Sequence, residues 1–353
     1  MYDSLADLSL VVDSVTTSRR ERDTSSGFVR ASTVIELSGE GETGRGEDVT
    51  YAEEEHDPEC WDRLALDFSG EYTLDSFSGT LADTDLFPEP PEREVFESYR
   101  RWGFESAALD LALRQAGTTL SAAVGRSVDP VDFVVSTRLS DADSDAPPTA
   151  DRIERWLDVD PTLRFKTDPT PDWPDSVVDD LAATGAIETL DFKGHYEGTE
   201  VDNPANPDFY ERLLTAFPDA VIEDPALTEE TRPLFDGHEE RVSWDAPIHG
   251  IDDIEALPFE PSWLNIKPSR FGSVESLLAT IDYCEERGIR LYGGGQFELD
   301  VGRRHIQLLA SLFYPDGPND VAPGAYNDPE PSADVPASPL DISEVEAGFD
   351  WES

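Results

Sequence analysis

The chain has 353 residues, with 26 Lys+Arg set against 77 Asp+Glu and a formal net charge of −51. A charge this negative repels phosphate backbones and anionic bilayers, which excludes nucleic acid and membrane surfaces as partners. With 38% hydrophobic and 10% aromatic residues and apolar runs throughout, the chain can build a core, so its acidity belongs to a folded surface and not to disorder.

Residues 1–127 read as an α+β domain. Leu8–Val12 and Val29–Leu37 are strand-like, the second by its β-branched content. Thr16–Gly27 between them is polar and charged and is expected to be a loop. Gly41–Glu47 carries three glycines around turns, and Val49–Tyr51 is the next expected strand. Helices are expected at about Asp57–Leu66 and Pro91–Ala116. The second opens with a proline in its first turn, stops at Gly117, and is apolar on nearly all sides over Ala107–Leu113, so it should be buried.

Residues 128–326 alternate short strands with helices. Strands are expected at Val131–Thr137, Leu163–Lys166, Ile187–Phe192, Ala220–Glu223, Arg241–Asp245, Trp263–Lys267 and Arg290–Tyr292. Helices lie between them, as at Pro174–Ala183, Asp208–Phe217 and Ser273–Arg287. This alternation implies parallel βα units wound right-handed, and their number favours a closed barrel over an open sheet. No G-x-G-x-x-G follows a strand, which argues against a dinucleotide fold. Residues 327–353 form an acidic, proline-rich tail that either hangs free or packs on the first domain through Leu340, Ile342, Phe349 and Trp351. Cys60 and Cys284 fall far apart in expected helices, so no disulfide framework is expected. The start lacks a basic leader region and no long apolar run occurs, so a soluble, cytoplasmic protein is expected.

The chain contains three lysines, Lys166, Lys193 and Lys267, each after a strand-like run. Asp191, Glu223 and Asp245 end similar runs, each about one βα unit apart. Charges at the C-terminal ends of barrel strands converge on one mouth. Carboxylates on adjacent strand ends repel one another unless a cation sits among them, and oxygen ligands with open water positions suit Mg²⁺ or Mn²⁺. Lys166 and Lys267 approach that mouth from the second and sixth strands. A lysine beside other cations loses its proton more easily, and Arg164, two residues before Lys166, is expected on the same strand face to supply such a cation. The plainer alternative is that the lysines form salt bridges with these acids. His195 and His249 lie just beyond strand ends, at the rim.

Arg164-Phe165-Lys166, Asp191, Ile222-Glu223-Asp224-Pro225, Asp245, Ile266-Lys267-Pro268-Ser269-Arg270-Phe271-Gly272 and Leu291-Tyr292-Gly293-Gly294-Gly295-Gln296-Phe297-Glu298 together resemble the muconate-lactonizing subgroup of the enolase superfamily. The resemblance implies a modified TIM barrel, (β/α)7β, with an α+β cap built from the N-terminal region and the C-terminal tail. It implies a metal site at Asp191, Glu223 and Asp245 holding Mg²⁺ (or Mn²⁺), with acid/base lysines at Lys166 and Lys267. Arg164, Lys193, His195, Asn265 and Glu298 are the candidates for substrate binding or for support of those groups. The implied activity is abstraction of the proton α to the carboxylate of a small molecule, of cycloisomerase, synthase or epimerase type. Specificity is expected from Thr16–Gly27 and Tyr51–Pro58, and a homo-oligomer stays open.

The chain departs from that pattern at three places. Lys193 stands where the family usually has asparagine, Ala246 where it often has glutamate, and Arg164 replaces the first lysine of a Lys-x-Lys pair. Lys193 is expected on the same side as Asp191, either binding a substrate carboxylate or taking the place of the cation. The latter leaves a metal-free or non-catalytic binding protein as the rival reading.

Acidity with almost no lysine resembles proteins of salt-loving archaea. Stability should therefore climb with ionic strength, as the screening length shrinks from about 10 Å at 0.1 M to about 3 Å at 1 M. The thermal midpoint is expected to rise between about 0.1 and 2 M KCl, a range spanning those lengths. A flat or falling midpoint contradicts this account of the charge.

Overall fold

The computed structural model describes residues 1–24, 28–64, 66–139, 147–196, 198–199, 201–328 and 330–352. After β1 (Ser9–Val12), strands β2 (Ser14–Asp23), β3 (Val29–Gly39) and β4 (Glu42–Asp48) form an antiparallel sheet in the order β2-β3-β4. The loop expected over Thr16–Gly27 is therefore mostly strand in its described part, paired with β3 from Ser14↔Ser38 to Asp23↔Val29; residues 25–27 lie outside the description. Its polarity hid it. An edge strand largely facing water needs no apolar alternation, and Arg19 and Arg20 occupy this edge with ion pairs to Glu53 and Asp300.

The strand expected at Val49–Tyr51 lies earlier, in β4, whose glycines serve packing instead of turns. A Cβ at Gly44 would meet the Leu111 nitrogen at 2.2 Å, and one at Gly46 the Gly103 carbonyl oxygen at 2.0 Å. Only glycine lets the sheet lie this close to a helix. Next come α1 (Pro58–Asp62), β5 (Gly70–Thr73), which pairs antiparallel with β1, α2 (Leu74–Ala82), α3 (Val95–Ala116) and α4 (Leu120–Val124). Helix α3 is the one that packs on β4, and its Ala107–Leu113 stretch is wholly buried. It ends at Gly117, whose φ of 62° lets its N–H close on the Arg114 carbonyl and the Thr118 N–H on that of Leu113.

The second half alternates β6 (Val135–Thr137), α5 (Asp151–Val159), β7 (Phe165–Thr167), α6 (Asp175–Thr184), β8 (Ile187–Asp191), α7 (Pro207–Ala216) and β9 (Val221–Glu223). It continues with β10 (Val242–Trp244), α8 (Ile251–Glu255), β11 (Trp263–Ile266), α9 (Pro268–Phe271), α10 (Val274–Arg287), β12 (Arg290–Gly293) and α11 (Val301–Phe313). Strands β6 to β12 form one curled parallel sheet in sequence order. All but β12, which is one residue longer, are shorter than expected by up to four residues, because the ladder of a tilted parallel sheet covers only the residues opposite a partner. Between the edge strands, Asn319 bridges in parallel to Phe133, and the Asp320 N–H donates to the Gly293 carbonyl at 2.8 Å. The C-terminal segment runs back to the first half: Leu340 bridges Val131, Gly348 bridges Thr119, and the Phe349 N–H donates to Asp110 at 2.7 Å. Among the described residues no helix is long and apolar enough to cross a membrane.

Arg100 on α3 ties these layers together. It is fully buried, donates to Asp48 at 2.8 Å and to the carbonyls of Leu86 and Glu55, and lies over the rings of Phe87 and Trp61. Arg100→Leu leaves the Asp48 carboxylate buried without its counter-charge, and is expected to cost about 3–5 kcal/mol in denaturant unfolding. A loss under about 1 kcal/mol, the size of an exposed pair, contradicts this account.

Candidate active site

Parallel register sets the site. Asp191 and Glu223 are Cα partners at the ends of β8 and β9, Glu223 is paired with Ser243 of β10, and Asn265 of β11 with Tyr292 of β12. Alternation then turns Lys166, Asp191, Glu223, Asn265 and Tyr292 inward. Asp245 directly follows β10, and Lys267 lies between β11 and α9, whose Pro268 starts the helix and leaves the lysine extended.

The buried Lys166 ammonium donates to Glu223 Oε1 at 2.6 Å and lies 3.1 Å from Asp191 Oδ2 and 3.6 Å from Asp320 Oδ2. Lys193 Nζ rests on the same Asp191 Oδ2, 5.0 Å from the centre of the Tyr196 ring. Glu223 Oε2 accepts from the Tyr292 hydroxyl, and the Asn265 amide lies 3.4 Å from both Glu223 oxygens. Asp245 Oδ2 accepts from Lys267 at 2.9 Å, Arg270 at 3.2 Å and the Tyr196 hydroxyl at 3.0 Å. Asp224 accepts two backbone N–H groups, from Asp245 and Ala246, each at 2.8 Å.

These pairings set the protonation states. Burial opposes the charge on Asp191, but Lys193 and Lys166 hold it well below the usual carboxylate range. Burial likewise opposes Asp245, which Arg270 and Lys267 hold well down. Burial and the neighbouring Asp191 charge push Glu223 well up. Burial, with Asp245 and Asp191, pushes Asp224 up to about 7. For Lys166 burial favours the neutral form, but Glu223 and Asp191 keep it firmly protonated. This corrects the expected neighbourhood of Lys166: Arg164 is not its neighbouring cation, and the carboxylates beside it outweigh Lys193, which shares Asp191 Oδ2.

One oxygen each of Asp191, Glu223 and Asp224 lie within 4.8 Å of one another. Asp245 Oδ1 and Asn265 Oδ1 are buried and have no hydrogen-bond partner among the described residues. An all-oxygen donor set with unsatisfied buried acceptors fits a hard divalent cation such as Mg²⁺. Asp224, not Asp245, completes the closest trio, because Asp245 is turned toward Lys267 and Arg270.

Of the sequence candidates, Lys166, Lys193, Lys267, Asp191, Glu223, Asp245 and Asn265 are brought together. Arg164 is not: it is exposed, and its guanidinium donates to the carbonyls of Thr162 and Leu163. Arg164 precedes β7, so it stands at the N-terminal entry of the strand, away from the C-terminal ends where the other charges gather. His195 is exposed and lies edge-on to the Trp244 ring. His249 is exposed beside Asp253. Glu298 is buried beneath the mouth, accepting from the Gln296 N–H at 2.7 Å. Asp320 and Gly295 line a cavity of about 30 Å³. A larger cavity of about 840 Å³ lies between α11 and the C-terminal segment; of the sequence candidates only Glu298 lines it.

Tyr196, Tyr292 and Arg270 were missed as site residues. Inward alternation on β12 was a signal for Tyr292, and the three-residue step from Lys267 into a helical turn was one for Arg270. Nothing local marks Tyr196.

The two domains of a family described as "Domain of unknown function (DUF8230)" match this chain, the N-terminal one at residues 3–123 and the C-terminal one at 127–328. The o-succinylbenzoate synthase of Bacillus subtilis is 25% identical over 227 residues, a match spanning 62% of this chain and 58% of that relative's length. Among solved structures, a mandelate racemase/muconate lactonizing protein from Herpetosiphon aurantiacus superposes with a TM-score of 0.71 at 15% identity, covering 97% of this chain and 98% of its own. A dipeptide epimerase from Methylococcus capsulatus, in complex with Mg and the dipeptide L-Arg-D-Lys, gives 0.66 at 17% identity over 90% and 92%. The muconate lactonizing enzyme from Pseudomonas putida gives 0.61 at 17% identity over 88% of each chain. These structural likenesses establish an α/β fold of the enolase-superfamily kind.

Asp224 makes a pH prediction. Its folded pKa of about 7 lies above the ordinary 3.8, so the folded chain holds this proton more tightly than the unfolded one. The stabilisation is complete below about pH 4 and lost as pH rises through about 7. With a chelator present, the stability of the wild type relative to Asp224→Asn should fall from about pH 4 to about pH 7 in urea unfolding and level off above that. A difference constant over that range contradicts the assignment.

Proposed function

The chain belongs to the DUF8230 family, and we propose that it is a metal-assisted isomerase or lyase that removes the proton α to the carboxylate of a small molecule. The observation that carries this reading is the pair of buried lysines, Lys166 on β7 and Lys267 after β11, flanking Asp191, Glu223 and Asp245 on the three intervening strands. In this reading the seven-stranded sheet and Asn319–Asp320 make a (β/α)7β barrel. Residues 1–127 and the 327–353 segment cap it, and the protein works in a salt-rich cytosol.

Asp191 and Glu223, with Asp224 and Asp245 beside them, would hold Mg²⁺ or Mn²⁺, which supplies the Lewis acidity that stabilises an enolate, as is general for this superfamily. Lys166 is protonated while Glu223 and Asp191 bear on it, so it acts as a base only once those carboxylates are engaged elsewhere. Lys267, on the opposite flank, returns a proton or balances charge as a cation. Tyr292 and Asn265 fix the Glu223 carboxylate, and Arg270 with Tyr196 fixes Asp245. The similarity to the synthase, and the epimerase and lactonizing enzymes that share the fold, make elimination, epimerisation and cyclisation the reactions to assay.

Lys193 lying directly on Asp191 favours a second reading, a metal-free binding protein on the same scaffold. One experiment separates the two. In about 1 M KCl with Mg²⁺, where screening lengths are about 3 Å, α-proton exchange into D₂O is followed by NMR across dipeptides and o-succinylbenzoate. Exchange by the wild type, reduced roughly 10²–10⁴-fold by Lys166→Met or Lys267→Met, is the expected result. Glu223→Gln should at the same time abolish Mg²⁺ binding in calorimetry. No exchange, together with no Mg²⁺ binding by the wild type, leaves the binding-protein reading.

A further inference from the structure

Lys193 differs from the other two lysines of the cluster. Its side chain is 15% exposed, against 2% for Lys166 and 7% for Lys267. Its φ of 54° is a left-handed conformation that lysine rarely adopts. The turn is held by the Lys193 N–H on Asp191 Oδ1 at 3.3 Å and the Gly194 N–H on the Asp224 carbonyl at 2.9 Å. A Cβ at Gly194 would meet the Ala226 nitrogen at 2.3 Å, so only glycine fits where the turn packs against Ala226. The turn sends the ammonium back onto Asp191 Oδ2, an oxygen that Lys166 already approaches at 3.1 Å. Asp168 Oδ1 stands 3.8 Å away on the exposed side.

Competition for one oxygen gives this arrangement a consequence. Lys166 and Lys193 share Asp191 Oδ2, with Asp320 3.6 Å from the first ammonium and Asp168 3.8 Å from the second. A divalent cation entering alone competes with both ammonium groups for that carboxylate. Entering with an anion that draws Lys193 away toward the exposed side, it meets one competitor fewer. Asp245 Oδ1 and Asn265 Oδ1, buried and without partners among the described residues, stand ready as acceptors beside the three close carboxylates.

Resting on the reading above, we infer that Lys193 is a carboxylate-responsive gate on the cation site. At rest its ammonium closes Asp191. A substrate carboxylate takes the ammonium toward the mouth and opens Asp191 to the divalent cation, so the two ligands bind cooperatively. Linkage makes the effect reciprocal, with each ligand strengthening the other by the same factor.

The test is calorimetric titration of Mg²⁺ into wild type, Lys193→Asn and Lys193→Met in about 1 M KCl, with and without saturating o-succinylbenzoate as the carboxylate probe. Asparagine accepts the left-handed backbone, so at least that variant should keep the turn. In the wild type the probe should tighten Mg²⁺ binding about tenfold, within the usual range of coupling between sites. Both variants should bind Mg²⁺ more tightly than the wild type without the probe, and the probe should no longer matter. Equal Mg²⁺ affinity in all three proteins, or a wild-type affinity that the probe leaves unchanged, overturns the gate while leaving the cation site standing. No Mg²⁺ binding by any of the three overturns both the gate and the metal-assisted reading.

Discussion

The structure depends on one interaction, the pairing of ammonium and guanidinium groups with carboxylates buried at the ends of parallel strands. A lone carboxylate in an apolar interior costs far more than a folded domain has to spare. Four of them stand here within the reach of four cations, and backbone N–H groups and tyrosine hydroxyls fill further acceptor sites. Breaking one pairing leaves its partner exposed to the full desolvation penalty, so the members hold one another in place. The chain uses lysine at three positions, and all three carry this arrangement.

The hairpin sheet is coupled to the mouth by the same logic. Glu47 at the end of β4 is buried, accepting from the N–H groups of Leu299, Asp300 and Gly302 at 2.7, 3.0 and 2.9 Å. A carboxylate at the start of α11 offsets the positive end of that helix and satisfies donors the helix cannot satisfy itself. This fixes the segment carrying Glu298 against the first domain. Arg30 reaches the Gln296 carbonyl from β3, and Gln296 donates to the Tyr99 hydroxyl on α3 at 3.0 Å. The segment carrying Gln296 and Glu298 is therefore held by polar contacts from β3, β4 and α3, elements that fold from distant stretches of sequence.

In the proposed reaction Lys166 has opposed requirements. As a base it must be neutral, yet the carboxylates that anchor Lys166 keep it charged. The proposed chemistry thus needs the carboxylates to be drawn off by something else, and Asp191, shared by Lys166 and Lys193, is where the proposed cation would compete with them.

Much of this was legible in the sequence. The alternation of short apolar runs with helical stretches marked the parallel sheet, because a strand covered on both faces must be apolar and its crossover must be a helix. Lysines in a chain that otherwise uses arginine, placed at strand ends with acids in step, marked the cluster. Other features depended on contacts between distant segments. The polar strand β2 exists because β3 supplies its hydrogen bonds, and the glycines of β4 are packing residues because α3 lies on them. Arg164 fell outside the ladder of β7 and turned to the carbonyls of Thr162 and Leu163, and Tyr196 reached Asp245 only through a loop whose path no periodicity encodes. Residue type and spacing along a strand determined which charges point inward. Which charge touches which, and so which are protonated, was decided by three-dimensional distance, since electrostatic energy between buried groups depends on separation and desolvation and on neither of these does sequence order report.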